Sequence, residues 1–286
     1  MRTWLTILEQ LYDGSWNEDL QRFRSPFAFR GMPCSTHALS SPLVRLARSR
    51  ADVKRVESAM LRNFRKYARG EASHTDSVWD WLALGQHRGL PTRLLDWTYS
   101  PLVALHFATD NPADFGVDGV VWCVNFVEAN KRLPTRLRRI LEKEGSDTFT
   151  VEMLSEFETL REFDALSGDP FVIFLEPPAI DRRILNQLAL FSVMSSPEAE
   201  LGDWLRRHPD LTRRVEVPAA LKWEIRDKLD QANINERVLF PGLDGLSRWL
   251  ARYYTPAGQA SSRLPMVRPR SRSRLPRRRK PNLPPK

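Results

Sequence analysis

Three clusters in the 286-residue chain combine residue types that can do chemistry. The first is Phe29-Arg30-Gly31. It reads as the end of a short strand, with Gly allowing a sharp turn, so the guanidinium can face a cleft. An Arg fork donates two parallel hydrogen bonds and suits a phosphate or a carboxylate. The plainer alternative is a surface Arg beside a turn. The second cluster runs from Gly85 to Ser100, GQHRGLPTRLLDWTYS. It holds Gln86, His87, Thr92, Arg93, Asp96, Trp97, Thr98 and Ser100. Two glycines and a proline lead to the expectation of a loop between two helices, where binding residues concentrate. Asp96 could pair with Arg93 or Arg30, or cap the helix beginning near Tyr99. Trp97 is either a stacking platform or core, and His87 is either a catalyst or a structural histidine. The third cluster, Arg182 to Phe191, sets Gln187 between a helix and a strand. Its amide can donate and accept, or simply order the loop.

Other chemistries lack their signatures. The chain has no GxGxxG, Walker loop, HExxH or GxSxG. Cys34 and Cys123 stand far apart without neighbours at metal spacing, so neither a disulfide scaffold nor a metal site is expected. The net charge of +9 arises from one end. Residues 255–286 hold ten Arg or Lys and no acid, so removing them leaves −1 for residues 1–254. That tail is rich in Pro, Arg and Ser and is expected to be disordered, either as a solubilising extension or as an electrostatic contact for nucleic acid or an anionic membrane. No apolar run reaches the length of a transmembrane helix, and the N-terminus carries acids where a signal peptide needs an apolar core. A soluble cytoplasmic protein is therefore the expectation.

The elements that must position these clusters follow from periodicity. Trp4, Ile7, Leu8 and Leu11 predict an N-terminal helix. Residues 42–67 read as one long helix with an Arg-rich outer face, and 77–87 as another. Ser100-Pro101 is a helix start, with Ser as N-cap and Pro at the first position. Residues 119–126 form a strand buried on both faces, and 150–166 a helical stretch. Strands are expected at 171–176, 188–194 and 213–217. Helices are expected at 180–187, from Pro218 to about 232, and at 246–254. The sum is an α+β fold: a central, mostly antiparallel or mixed sheet with helices packed around it and no βαβ repeat. Residues 1–254 read as one domain with a core of about 20–254, followed by the tail.

With these motifs in hand, the chain resembles the FRG-domain family. Phe29-Arg30-Gly31 matches its Phe/Tyr-Arg-Gly motif. Gln86 to Ala108 fits Q-H-x-G-L-P-T-R-L-L-D-W-T-x-S-P-L-x-A-L-x-F-A position by position. Gln187 to Phe191 is similar to a Q-x-G-x-F segment, with Ala189 in place of the usual Gly. Phe240 to Leu246 is similar to F-P-x-L-D-G-L. The resemblance extends distantly to ADP-ribosyltransferases and implies their fold, with NAD as substrate, no metal, and a protein or nucleic-acid acceptor. It also implies a toxin or phage-defence role and a restraining partner. On that mapping the catalytic residues are Arg30, Thr98 and Gln187. Arg30 holds a phosphate or the nicotinamide ribose, Thr98 and Ser100 (or Thr92) supply second-motif hydroxyls, and Gln187 reaches the ribose. Gln86, His87, Thr92, Arg93, Asp96, Trp97 and Ser100 line the pocket. Gln in place of the frequent Glu supplies no negative charge. Asp96, Glu158, Glu162 or Asp164 would have to provide it. The rival reading is a non-catalytic nucleotide- or nucleic-acid-binding module that uses the basic tail.

Overall fold

The computed structural model describes residues 2–70 and 77–257, so most of the expected tail lies outside the described residues. The chain forms helix α1 (Trp4–Tyr12), a small hairpin of β1 (Trp16–Asn17) and β2 (Arg22–Phe23), and strand β3 (Phe27–Met32). Helices α2 (Pro42–Leu46), α3 (Val53–Ala68) and α4 (Val78–His87) lead to β4 (Leu94–Thr98) and α5 (Pro101–Ala108). Strand β5 (Gly119–Asn125) precedes α6 (Phe126–Asn130), α7 (Thr135–Glu144) and α8 (Leu160–Asp164). Then come β6 (Val172–Leu175), α9 (Arg182–Asn186), β7 (Ala189–Met194), α10 (Leu201–Arg207) and β8 (Thr212–Val217). Helices α11 (Lys222–Gln231), α12 (Glu236–Leu239) and α13 (Leu243–Tyr253) end the described chain.

The fold is α+β. Six strands form one sheet in the order β6-β7-β4-β3-β5-β8, every strand pair antiparallel. Alternation along the strands sends residues to two faces. One face carries Ala28, Met32, Leu95, Trp97, Val124, Phe174 and Leu190, packed with Trp204 of α10. The other is divided between two apolar clusters. Phe29, Val121 and Val217 pack with α5 and α11, while Leu94, Ile173 and Val193 pack with α4 and the aromatics Phe149, Phe157 and Phe163. Among the described residues no helix is long and apolar enough to cross a membrane.

Three expectations change. The segment 85–100 is not a loop throughout: Leu94–Thr98 is the central strand β4, with four of its five residues buried. Leu, Trp and Thr suit a strand buried on both faces, and the glycines and proline only mark its approach. The helix expected over 42–67 is broken. Ala47 and Ser49 are extended, Ser41 caps α2, and Ser49 bonds Asp52 before α3 begins. A helix-start signal thus sits inside the apolar periodicity. The stretch 150–166 is mostly turns that drive Phe157 and Phe163 into the core, and only Leu160–Asp164 is helical, capped by Thr159.

Candidate functional site

The site forms where two central strands part. Strand β3 pairs with β5 along all six of its residues, but with β4 only at Phe29↔Thr98. Beyond that point Gly31 turns its face to α5: a Cβ there would lie 1.8 Å from the Ala104 carbonyl oxygen. Alternation then sends Arg30 to the opposite face, beside the Ala28 and Met32 positions. Its guanidinium reaches the gap and donates an Nη1 hydrogen bond to the main-chain carbonyl of Asp96, at 2.5 Å. Its Nε is buried with no partner. Burial lowers the Arg30 pKa. The nearby Asp96 charge opposes that shift and the Arg45 charge adds to it. The Arg30 guanidinium therefore has a spare buried donor at this gap, while Arg45, bonded to the Ser40 carbonyl, acts on it through charge alone.

Asp96 is the one exposed residue of β4. A polar chain aims its carboxylate. The Leu94 N–H donates to Thr92 Oγ1 (3.0 Å), the Thr92 hydroxyl donates to Gln86 Oε1 (2.6 Å), and Gln86 Nε2 donates to Asp96 Oδ1 (2.9 Å). The chain fixes the orientation of the Gln86 amide, since one end must accept and the other must donate. Asp96 thus caps no helix. Ser100 does that, accepting from the Val103 N–H at 3.3 Å with Pro101 at the first helical position.

The remaining positions brace the gap. Thr98 donates its hydroxyl to the Gln187 carbonyl (2.7 Å) and accepts from the Ser100 N–H (3.0 Å). The Gln187 side chain donates to the Leu239 carbonyl (2.8 Å), and Asn186 donates to the Val238 carbonyl (2.7 Å), so the segment after α9 is tied to α12. His87 Nε2 lies 2.7 Å from Asp181, the N-cap of α9. Burial alone would raise the Asp181 pKa. The His87 charge and the N–H groups of Ile184 and Arg183 leave it below the ordinary carboxylate range. Trp97 is core: its indole N–H donates to Ser192 Oγ (2.8 Å) and its ring meets Phe174 edge-on, leaving no open face for a ligand. Arg93 is also buried. It grips Glu57 through Nε and Nη2 and Asp164 through Nη1, so Asp164 is spent as its partner. Glu158 and Glu162 belong to the start of α8, where the Glu158 N–H donates to Glu162.

Strand register brings the three motifs to neighbouring positions. Phe29 stands opposite Thr98, and Thr98 opposite Ala189. About two strand spacings, roughly 10 Å, therefore separate the Arg30 strand from the strand that Gln187 leads into. Arg30 meets the main-chain carbonyl of Asp96, while the Asp96 carboxylate, on the Leu94 face of β4, meets Gln86. Thr98, Ser100 and Gln187 form an adjoining brace, while Arg93 and Trp97 point into the interior. Sequence reading passed over two participants. Arg45 was absorbed into the Arg-rich face of the expected long helix. Asp181 carries an N-cap signal ahead of Arg182-Arg183, but nothing local links it to His87. Among the described residues no group of three or more His, Cys, Asp or Glu is gathered to hold a metal. Comparison with curated proteins and with solved structures finds no match. The family model of the FRG domain does match, over residues 25–116, which span β3, β4, α5 and the Arg30 gap. On that match residues 25–116 of this chain carry an FRG domain.

Proposed function

We propose that the Arg30–Asp96 gap binds NAD and that the protein is an ADP-ribosyltransferase-like enzyme of the corresponding fold, passing ADP-ribose to a protein or nucleic-acid acceptor. The observation that carries the reading is the Arg30 guanidinium. It is half-buried where two central strands part, has a buried and unpartnered Nε, bonds the Asp96 carbonyl, and feels the charges of Asp96 and Arg45. A guanidinium suits a diphosphate, and its spare donor suits one of the phosphate oxygens. Further support comes from register, in which the early-strand Arg, the second-motif hydroxyl and the third-motif Gln belong to three adjacent strands or their ends.

In the proposed reaction the bond between nicotinamide nitrogen and ribose carbon breaks. Nicotinamide leaves with the bonding pair, the acceptor's nucleophile bonds the same carbon, and the acceptor releases a proton. Positive charge gathers on the ribose as the bond stretches, and a fixed carboxylate beside it lowers the barrier. Gln187 is neutral and its amide is engaged with Leu239. Asp96, with one oxygen held by Gln86, takes the carboxylate role in this reading. A toxin or phage-defence role, with a restraining partner, fits such chemistry and is part of the proposal.

The test is nicotinamide release from NAD by the purified protein. Arg30→Ala abolishes release, and Asp96→Asn lowers kcat by about 10²–10³ with a much smaller change in KM, as expected for charge stabilisation made in the transition state. A protein that takes up no NAD by calorimetry at millimolar ligand would sink the reading.

A further inference from the structure

A cavity of about 1170 Å³ lies away from the Arg30 gap, between α3, α4 and the start of α8. Its rim is cationic: Lys54, Arg62, Arg65, Lys66 and Arg69 of α3 and its C-cap face Arg161 of α8 across it. Among the described residues three carboxylates line it; Glu57 and Asp164 are consumed by Arg93, which leaves Glu158, and Lys54 lies 3.9 Å from Glu198 beyond the lining. The α3 cations fall at intervals of three and four residues or twice that, so they form one stripe. From Lys54 to Arg69 the stripe runs about 22 Å at 1.5 Å per residue. That is longer than a mononucleotide needs and matches a repeating anion. Arg62, Lys66 and Arg69 are exposed, and four of the six cations are Arg, whose fork fits a phosphate edge. Like charges this close repel one another, and a polyanion relieves the repulsion while releasing counterions.

We infer that this groove binds the phosphodiester backbone of a single nucleic-acid strand, without reading its sequence. The inference is independent of the NAD reading, because it concerns a different cavity and needs no turnover. It differs from an electrostatic contact by the tail, because it places the strand on α3.

The test uses the full-length protein and fluorescence anisotropy with a labelled oligothymidine of about 20 nucleotides, long enough to cross the groove. Salt is varied from about 50 to 200 mM. The double variant R62E/R69E is compared with R139E/K143E, which makes the same charge change on the exposed face of α7. The basic C-terminal residues contribute equally to all three proteins, so the comparison isolates the groove. R62E/R69E is expected to weaken binding 10-fold or more and to flatten the log–log salt slope by about 1.4, at roughly 0.7 for each phosphate that is no longer neutralised. R139E/K143E is expected to leave binding within about 2-fold, with unchanged helix content and melting in both. The inference is overturned if the two double variants lose affinity equally, if no binding occurs at the lowest salt, or if polyglutamate displaces the oligonucleotide at equal charge concentration.

Discussion

A methyl group at position 31 would stand 1.8 Å from the Ala104 carbonyl oxygen and 2.6 Å from the Ala108 nitrogen. Both are main-chain atoms of α5, which cannot swing aside as a flexible side chain would. Glycine is therefore required at position 31 by the close approach of β3 to α5, and the approach in turn decides which way Arg30 points. Gly31→Ala should destabilise the protein by about 3 kcal/mol or more, an overpacking cost at the upper end for buried sites, read as a large fall in melting temperature. The substitution should also abolish ligand binding in any fraction that folds. A variant with unchanged melting would show that α5 can retreat. Residue types and spacing made Arg30, Gln86, Thr92 and Asp96 visible as a polar set. They could not tell Trp97 or Arg93 apart from that set, because a buried indole and a lining indole have the same letter. The difference lies in Ser192, Glu57 and Asp164, each at least 36 residues away in the chain.

At the scale of elements, Arg93 is the joint among α3, β4 and α8. It precedes the central strand, has 2% side-chain exposure, and binds Glu57 and Asp164 at 2.5 Å each. Burial opposes its charge, but the two carboxylates outweigh that and raise its pKa. Removing one member of such a group strands the others without solvent. Arg93→Ala should therefore cost about 3–5 kcal/mol. Arg93→Lys should recover only part of this, since a point charge cannot reproduce the fork across two carboxylates. Urea unfolding of the three proteins measures the difference, and full rescue by Lys would contradict the fork argument. The same joint explains why β4 was legible as a motif but not as a strand. Its burial on both faces removes the period-2 alternation that marks a half-buried strand. The longer strands β5 and β7 were legible, as were α1, α4 and α5, whose caps and apolar faces are local. The hairpin of β1 and β2 escaped notice because it pairs only Trp16 with Phe23 and Asn17 with Arg22.

Across the whole molecule, the C-terminal helices are locked to α5 by a buried ionic network, and its titration should govern acid stability. Arg226 donates to His106 Nδ1 (2.8 Å) and to Glu236 (2.6 Å). Arg252 binds Glu236 through Nε (2.8 Å) and Asp230 through Nη2 (2.7 Å). Arg226 can only donate, so His106 Nδ1 must accept, and the ring stays neutral. Burial, reinforced by the Arg226 charge, pushes His106 down to about 3. Burial alone would raise Glu236, but hydrogen bonds from Arg252 and the charges of both arginines pull it down to about 2. Asp110 goes the other way: burial pushes it up to about 6. As pH falls from 6.5, the unfolded chain protonates His106 before the folded chain does, which destabilises the fold. Between about 6 and 4, folded Asp110 takes up its proton first, which offsets that loss. Below about 4.5 the unfolded chain protonates Glu236 while the folded chain resists, and both His106 and Glu236 then drive unfolding until pH approaches 3 and 2. The contribution of these three groups to stability should thus be nearly level from pH 6.5 to about 4.5 and fall steeply below it. Glu236→Gln should lower stability at neutral pH, because two buried arginines lose their shared carboxylate, and should flatten the acid limb. Chemical denaturation at a series of pH values measures both, and a wild-type acid limb as steep in the variant would place the acid-sensitive group elsewhere.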